Sequence, residues 1–325
     1  MNGLPGKAIR LFVSCLVSVL ILELLVRIFL PQYRPDHAFV FKWSPEGVPL
    51  GIPNSVTRLK RNTGDYDVEV RINEHGFRDK KRIEDSTPAD LLVVGDSFSM
   101  GWGVEEEKRF SDLLEARLHV PVYNIAIPGW IDDYERLLDY AERNGAKFGR
   151  LIIGVCMEND IIDYENKPRA PRSSAFQKAK MFLRVNSASY DAVTTVFHGS
   201  SALRSLAVKL GWIIPSLDLA TRNVYSEKAL ESSAARLSRL AMRSRTTILL
   251  IPSRLLWVAE NQDAERRVHD RFKALLEEKG LSVVDLRPIF EAGGNPMQYN
   301  FKLDGHWNES GHAKAAEALA GALGR

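Results

Sequence analysis

From Ala89 to the end of the chain, short apolar segments alternate with amphipathic ones, and this alternation constrains the fold more than any other feature. The apolar segments end at turn signals, as expected of parallel strands buried on both faces. The stretches between them have the hydrophobic spacing of helices. The five apolar segments are DLLVVGDS, VYNIAI, RLIIGV, TTILLIP and LSVVDL. The sequence therefore predicts an α/β protein, a three-layer α/β/α sandwich with a mostly parallel five-stranded sheet.

A different kind of apolar run lies near the N-terminus. Leu11–Leu30 reads LFVSCLVSVLILELLVRIFL, and twenty residues is the length that a helix needs to cross a membrane. Glu23 and Arg27 interrupt this run, and a charge at the centre of a span costs about 2.5–3.5 kcal/mol. The apolar residues together favour insertion by about as much or more, and the two charges lie one helical turn apart, where they can pair. We therefore predict that residues 1–31 form a membrane anchor.

The alternative for this run is a secretory signal that is cleaved after export. Lys7 and Arg10 followed by the apolar core Leu11–Leu22 fit such a signal, but no small-x-small cleavage site comes after it. We therefore expect an uncleaved helix. Lys7 and Arg10 favour a cytoplasmic N-terminus, whereas Arg27 and Arg34 weaken that bias.

Two further segments depart from the alternating pattern. Residues 32–88 contain the alternating stretch Tyr66–Asn73 and several turn signals, which predicts a small β-rich lead-in packed on the main domain, residues 89–325. Within that domain, residues from about 161 to 223 form an insertion, which begins basic and loop-like and continues with segments apolar enough for short helices. We expect it to lie over the strand ends, where α/β proteins place their ligands.

Composition narrows the functional classes. A formal net charge of +3 is too small to indicate a nucleic-acid-binding protein, and no basic run is interleaved with aromatic residues. Cys15 lies in the N-terminal apolar run and Cys156 in a predicted strand, so we expect no disulfide between them. No group of His, Asp and Glu residues has the spacing of a metal site, so we expect catalysis without metal or cofactor.

Two tripeptides carry the residue types of nucleophilic catalysis. Gly95-Asp96-Ser97 follows the first predicted strand, and a nucleophilic serine needs such a tight turn beside backbone N–H groups. Asp304-Gly305-His306 precedes the last predicted helix and offers an acid that can orient a general base. Either tripeptide, taken alone, fits an ordinary turn equally well.

Two more residues lie after predicted strands. The backbone N–H of Gly129 and the side-chain amide of Asn159 are groups that can donate to an oxyanion, although each residue also fits a turn or a helix cap. Ser97, Gly129 and Asn159 follow predicted parallel strands, and the tripeptide ending at His306 lies in the loop before the last helix. That edge is where an α/β sheet collects its active site, and the shared placement favours a catalytic interpretation of all of them.

The ordered blocks GDSFSMGWGV, NIAIPGW, MEND and DGHWNESGH resemble those of the SGNH/GDSL hydrolase superfamily. The resemblance covers residues 89–325 apart from the insertion. It implies that Ser97 is the nucleophile and that Asp304 and His306 are the acid and base. It also implies an oxyanion hole formed by Ser97, Gly129 and Asn159.

The resemblance extends to the lead-in and to the cellular location. RINEHGFRD looks like a segment that precedes the serine block in membrane-anchored relatives. We therefore expect the catalytic domain on the extracytoplasmic side, periplasmic or extracellular, held to membrane lipid by its N-terminal helix. Many members of the superfamily space the acid and base as Asp-x-x-His, whereas this chain has Asp-x-His, as in relatives that resemble polysaccharide O-acetylation proteins.

Other residues near the blocks receive structural interpretations. We expect His312 in the first turn of the closing helix, without a catalytic role, and Asp96 in a turn role. Trp102 and Trp130 can stack on a sugar, although packing is the commoner role of tryptophan. His198 and His269 lack ligand spacing and are predicted to face solvent.

The function predicted from the sequence is a serine esterase that cleaves acyl esters through an acyl-serine intermediate, with an acylated cell-envelope glycan as the specific hypothesis for its substrate. The first alternative is an O-acyltransferase that modifies an exported polysaccharide. The second is a non-catalytic glycan-binding or assembly component that keeps the fold. The two enzyme hypotheses share every residue named above, so the sequence does not separate hydrolysis from transfer.

Overall fold

The computed structural model describes residues 4–34, 41–45, 47–61, 63–165, 175–211 and 225–324. The chain divides into two compact units, and each is described by itself. The larger comprises residues 39–61, 65–169 and 214–325, and the smaller comprises residues 1–38, 62–64 and 170–213. The predicted division into an anchor, residues 1–31, a lead-in, residues 32–88, and a main domain, residues 89–325, stays a prediction.

The regular elements are as follows. The smaller unit contains helices α1 (Leu4–Phe29), α5 (Ala175–Asn186), α6 (Ala188–Gly199) and α7 (Ser201–Lys209). The helices of the larger unit are α2 (Ser97–Met100), α3 (Phe110–Leu118), α4 (Ile131–Arg143), α8 (Glu227–Ala241), α9 (Leu255–Val258), α10 (Gln262–Glu278), α11 (Arg287–Ala292) and α12 (Glu309–Leu323). Its strands are β1 (Phe41–Trp43), β2 (Pro49–Gly51), β3 (Val56–Lys60), β4 (Asp67–Arg71), β5 (Leu91–Val94), β6 (Val122–Asn124), β7 (Arg150–Cys156), β8 (Arg245–Ile251) and β9 (Ser282–Asp285).

The larger unit is built on a five-stranded sheet with the order β6-β5-β7-β8-β9. Every neighbouring pair is parallel, and Ile153 on the central strand lies between Val94 of β5 and Ile248 of β8. Each strand falls within one of the five apolar segments of the sequence apart from one residue each at two extended ends, Cys156 of β7 and Arg245 of β8. The predicted fold class, a parallel α/β/α sandwich, is confirmed.

Alternate residues of these strands supply two separate apolar cores, one on each face of the sheet. Leu92 and Val94 join the core under α4, α8 and α10, whereas Leu91 and Val93 join the core under α3, α11 and α12. Side chains of successive strand residues point to opposite faces, so a strand covered on both sides must be apolar throughout. This requirement explains the continuous apolar runs from which the sheet was predicted.

The lead-in forms two antiparallel pairs, β1 with β2 and β3 with β4. Val70 of β4 and Met100 of α2 belong to one buried cluster, so the second hairpin packs on the segment that carries Ser97. Arg78 is almost fully buried and donates to the carbonyl oxygens of Gly101 (2.5 Å) and Val104 (2.7 Å). A buried guanidinium with this many backbone acceptors fixes the lead-in to the loop beyond α2.

The smaller unit contains the predicted anchor and residues 175–211 of the predicted insertion. Gly6–Phe29 is 24 residues long and apolar enough to cross a membrane, and nearly all of its side chains are exposed in this structure. A signal sequence meets the same criterion. Residues 175–211, which we call the helical insert, form α5, α6 and α7. Short helices were predicted from residue 181 onward, but α5 begins at Ala175, inside the stretch that was predicted to be loop-like. Residues 212–217, the end of the second predicted helical segment, lie outside the described residues.

Two expectations about single residues were wrong. His269 faces the core side of α10, where its Nε2 atom lies 3.0 Å from Asp285, and only 1% of the residue is exposed. His198 is half-buried on α6. His269 lies on a helix, as its sequence period predicted, but it is buried, and His198 is only partly exposed. The two cysteines are free thiols, as expected.

Candidate active site

Ser97 lies at the turn between the end of β5 and the start of the short helix α2. Asp96 precedes it and caps this helix, because its carboxylate accepts a hydrogen bond from the backbone N–H of Phe98 (3.0 Å). The turn requires Gly95, since a Cβ atom at that position would lie 2.3 Å from Oγ of Ser99. The predicted turn role of Asp96 is therefore confirmed, and Ser97 occupies the first position of α2.

His306 bridges Ser97 and Asp304. Its Nε2 atom lies 2.8 Å from Oγ of Ser97, and its Nδ1 atom contacts the carboxylate of Asp304. With Nδ1–H donating to a carboxylate, Nε2 is free to accept the proton of the serine hydroxyl. The structure thus brings together the three residues that the sequence analysis proposed as nucleophile, base and acid.

Aromatic side chains hold the His306 ring on two sides. The ring of Phe98 lies 5.0 Å from it, and the indole of Trp102 is stacked at 5.6 Å with an interplanar angle of 26°. The Nε1–H of Trp102 donates to the hydroxyl of Tyr66 at 2.7 Å. Trp102 was considered for stacking on a sugar or for packing. The structure shows packing, against the imidazole of His306.

Asp304 is buried and receives hydrogen bonds from outside its own loop. The hydroxyl of Tyr66 donates to Oδ2 at 3.2 Å, and the guanidinium of Arg61 pairs with the same oxygen at 3.3 Å. Burial raises the pKa of the Asp304 carboxyl, but the hydrogen bond from His306 and the charges of His306 and Arg61 outweigh burial, so the pKa is well below its usual range. Asp304 is therefore ionised and oriented.

Tyr66 and Arg61 are the functional candidates that the sequence analysis missed. Both belong to the lead-in, which was predicted only as a packing element. Both residues precede Asp304 by more than two hundred positions, so no motif or spacing in the sequence indicates the contact. Burial, followed by the charge of Asp304, raises the pKa of Tyr66, so its hydroxyl stays protonated and remains a donor.

Asn159 and Gly129 follow strands β7 and β6, at the same edge of the sheet as Ser97. The side-chain N–H of Asn159 donates to Asp96 at 3.3 Å, which places this amide beside the residue that precedes Ser97. An amide nitrogen has two N–H groups, so one remains for a substrate oxygen. Gly129 lies against Asp133, and a Cβ atom at Gly129 would come within 2.9 Å of that side chain.

Asp160, the residue after Asn159, fixes the loop that carries the amide. Its carboxylate accepts hydrogen bonds from the hydroxyl of Tyr134 (2.8 Å) and from the backbone N–H of Cys156 (2.8 Å). Burial raises the pKa values of both Asp160 and Asp96. Two buried carboxyls therefore hold the loops around Ser97 and Asn159.

A bidentate ion pair also supports the loop that contains His306. Arg254, just beyond β8, binds Glu158 through Nε (2.8 Å) and Nη2 (2.7 Å). A Cβ atom at Gly305 would lie 2.5 Å from Cζ of Arg254, so the middle position of Asp304-Gly305-His306 has no room for a side chain. The pair joins the strand-end loops of β7 and β8 to the loop that contains Asp304 and His306.

The last sequence block, DGHWNESGH, contains a second histidine, His312. His312 lies in the first turn of α12, as predicted, where its Nδ1 atom accepts a hydrogen bond from the backbone N–H of Phe110 at 3.3 Å.

Glu74, His75 and Glu84 form a cluster in the lead-in that the sequence spacing did not reveal. His75 contacts Glu84 at 2.9 Å, and Arg82 also pairs with Glu84, so side-chain ion pairs already satisfy that carboxylate.

Comparison with known protein families agrees with this geometry. The model of the GDSL-like lipase/acylhydrolase family matches residues 93–314, which is about two thirds of the chain and includes Ser97, Gly129, Asn159, Asp304 and His306. The chain belongs to this family. No curated protein matched the sequence in a separate search.

Several solved structures are similar to this chain at low sequence identity. One is a lipolytic protein of the G-D-S-L family from Veillonella parvula, with 14% identity, a TM-score of 0.44, and coverage of 73% of this chain and 98% of the other. Another is an acetylxylan esterase from Geobacillus stearothermophilus, with 12% identity, a TM-score of 0.40, and coverage of 75% and 97%. A similar likeness is found to a lipolytic protein of the G-D-S-L family from Desulfitobacterium hafniense, with 13% identity, a TM-score of 0.41, and coverage of 71% and 98%.

We expect the His312→Asn substitution to weaken the loss of stability at acid pH. Burial, followed by the charges of Arg109 and Arg78, lowers the pKa of His312 to about 3. Between its ordinary pKa and this value the folded state binds fewer protons than the unfolded state, so stability falls as the pH drops. One such group accounts for up to about 1.4 kcal/mol per pH unit. Asparagine retains an acceptor for the N–H of Phe110 but cannot titrate.

The measurement is the melting temperature of the full-length protein in detergent at pH 6.5 and pH 4.5. Between pH 6.5 and pH 4.5, the melting temperature of the asparagine variant should fall by less than that of the unaltered protein. An equal loss in both proteins would show that His312 is not the buried neutral histidine described here.

Proposed function

We propose that this chain is an acyl-ester enzyme in which Ser97 is the nucleophile, His306 the general base and Asp304 the residue that orients the base. The observation that carries the proposal is the hydrogen bond of 2.8 Å between Oγ of Ser97 and Nε2 of His306, with Asp304 on the opposite side of the ring. A binding module needs neither a nucleophile nor a base. Family membership supports ester chemistry, and the geometry supports these residues as its agents.

The proposed reaction has two halves. Nε2 of His306 takes the proton from Ser97 as Oγ bonds to the ester carbonyl carbon. The tetrahedral oxyanion accepts hydrogen bonds from the backbone N–H groups of Ser97 and Gly129 and from the side-chain amide of Asn159, and one such donor is worth on the order of 10²–10³ in rate. Collapse breaks the bond to the alkoxy oxygen, which receives the proton held by His306 and leaves as the alcohol. In the second half, His306 deprotonates the molecule that attacks the acyl carbon, the bond between that carbon and Oγ of Ser97 breaks, and Oγ takes back the proton held by His306.

The identity of that second molecule separates two candidate functions. Water gives an esterase, and we propose a deacetylase of a cell-envelope glycan as the specific form. A sugar hydroxyl gives an O-acyltransferase for an exported polysaccharide, and the Asp-x-His spacing at Asp304-Gly305-His306 is the feature that favours this second candidate. Both share the acyl-serine, so products formed from an acylated glycan, with and without an unacylated acceptor, distinguish them.

We expect Ser97→Ala and His306→Ala each to reduce turnover of a short-chain activated ester by at least about 10³-fold. The double variant should lose little more than either single variant, because members of a triad act as a unit. The matched control is Ser99→Ala, since the Ser99 hydroxyl is buried between Gly95 and Gly154, on the same short helix as Ser97. Ester turnover by the Ser97 variant at the level of the Ser99 control would refute the assignment. Absence of both hydrolysis and transfer in the unaltered protein would favour a non-catalytic glycan-binding component.

Tyr66→Phe tests the role of the lead-in in positioning Asp304. The substitution removes one hydroxyl and with it the donor to Oδ2, so we expect kcat to fall about 10-fold at unchanged KM, the loss of about 1.4 kcal/mol in the transition state. The control is Tyr123→Phe, a buried tyrosine on β6. Comparable kcat values for the two variants, or a change confined to KM, would show that Tyr66 contributes packing alone.

We also propose that α1 anchors the chain in a membrane, with the catalytic domain on the extracytoplasmic side. The length and exposure of Gly6–Phe29 support the anchor. Its contacts with α6 support retention of the helix rather than its cleavage, because Glu23 accepts hydrogen bonds from the insert, including one of 2.9 Å from the N–H of Ala188. A cleaved signal would remove a partner that the folded insert uses.

The full-length protein should stay in the membrane fraction after a carbonate wash, because a transmembrane helix is not an electrostatic attachment. The mature protein should keep its original N-terminal sequence, and a reporter fused after residue 325 should show the extracytoplasmic side. Release of a shortened protein into the soluble fraction would contradict the anchor. A cytoplasmic reporter signal would exclude an envelope glycan as substrate.

A further inference from the structure

A carboxylate inside the apolar span holds the start of helix α6. Oε2 of Glu23 accepts hydrogen bonds from the N–H of Ser189 (3.0 Å) and from the hydroxyls of Ser189 (2.6 Å) and Ser187 (2.8 Å). Oε1 accepts from the N–H of Ala188 (2.9 Å) and from Nε of Arg27 (2.7 Å). The carboxylate therefore satisfies the N–H groups at a helix N-terminus, where negative charge is favourable.

These contacts explain how the span tolerates two charged residues. An unpaired charge in hydrocarbon is expensive, and charged groups in spans turn toward protein partners. Arg27 pairs with Glu23 and also donates to the carbonyl oxygen of Asn186 (2.7 Å), the last residue of α5. Glu23 and Arg27 are therefore the attachment points of the helical insert, and Val26 between them is buried whereas most of the span is exposed.

The position of Glu23 along α1 sets the depth of the insert. Glu23 precedes Phe29, the last residue of the helix, by six residues, which is about 9 Å at the rise of an α-helix. An anchor that ends near Phe29 thus places the first turn of α6 roughly 9 Å inside the apolar end of the span. Amphipathic helices that lie in a membrane interface bury their apolar faces about 5–10 Å deep.

The helical insert exposes the side chains that such a position requires. Large apolar side chains are exposed on all three of its helices, and Val196 (61%) and Leu206 (48%) are examples. Val193 and Val196 are three residues apart on α6, whereas Leu206 and Leu210 are four residues apart at α7, so each pair shares a helix face. The exposed set is Phe182, Leu183, Val193, Val196, Leu206 and Leu210.

We infer that the helical insert is a second membrane-contacting element, which lies in the interface of the bilayer that α1 crosses and places these apolar side chains among the acyl chains. The inference rests on the proposed anchor and goes beyond it, because a single span needs no further lipid contact. The occupant of the apolar surface is the lipid of the same membrane. The depth set by Glu23 places the apolar surface in the membrane interface. Exposure of the side chains alone would not distinguish lipid from another occupant.

The test measures depth by spin labelling of the full-length protein in vesicles of phosphatidylethanolamine and phosphatidylglycerol. A Cys15→Ser background leaves only the buried thiol of Cys156. A nitroxide is attached to a cysteine introduced, one at a time, at Val196, Leu206, Leu20 within α1, and the exposed Glu231 on α8. Collision with oxygen reports lipid, and collision with a water-soluble nickel chelate reports water.

The ratio of oxygen to nickel accessibility should be several-fold higher at Val196 and Leu206 than at Glu231, and it should approach the ratio at Leu20. Water-like ratios at Val196 and Leu206 beside a lipid-like ratio at Leu20 would overturn the inference and leave the anchor intact. A water-like ratio at Leu20 as well would overturn both. Shielding of Val196 and Leu206 from both reagents would assign the surface to a protein partner or a second copy, and it would equally overturn the lipid assignment.

Discussion

The site depends on the imidazole of His306, which contacts Asp304 in its own loop and Ser97, 209 residues earlier in the chain. His306 and Asp304 meet Ser97 because the loop before α12 returns to the edge of the sheet at which β5 ends. Parallel strands end at a common edge, so the sheet supplies a meeting point for residues that are far apart in the sequence. The aromatic contacts of Phe98 and Trp102 restrict the ring itself, and the buried carboxyl of Asp96 restricts the turn that carries Ser97.

The lead-in makes a contribution that its own composition does not suggest. Arg61 and Tyr66, in the turn of the β3–β4 hairpin, both contact Oδ2 of Asp304. Arg78 attaches the lead-in to the loop that follows α2. An ionised carboxylate in a buried position needs several donors, because desolvation acts against its charge. The loop that contains Asp304 supplies some of these donors and the lead-in supplies the rest, so the lead-in completes the surroundings of this carboxylate.

The sequence predicts the sheet and its order of elements, because hydrophobic periodicity is a local property. It also predicts that Ser97 meets Asp304 and His306, because the positions at which strands end are local as well. Contacts made by side chains across the fold could not. Nothing near Tyr66 marks its hydroxyl as a partner of Asp304, and nothing near Arg254 marks its guanidinium as the reason for Gly305. The buried position of His269 was missed for the same reason, since the helical period predicts a face of α10 but not its contact with Asp285. Glu23 was noted as a cost to membrane insertion, and only the tertiary structure reveals its partner on α6.

The central claim is that His306 activates Ser97, and covalent labelling tests it most directly. A fluorophosphonate probe bonds to a serine whose hydroxyl is activated by a base, and peptide mass spectrometry locates the adduct. The account predicts stoichiometric labelling of Ser97 in the full-length protein and almost none in the His306→Ala variant, with Ser99 unlabelled in both. Labelling of another serine, or equal labelling of Ser97 with and without the imidazole, would contradict it.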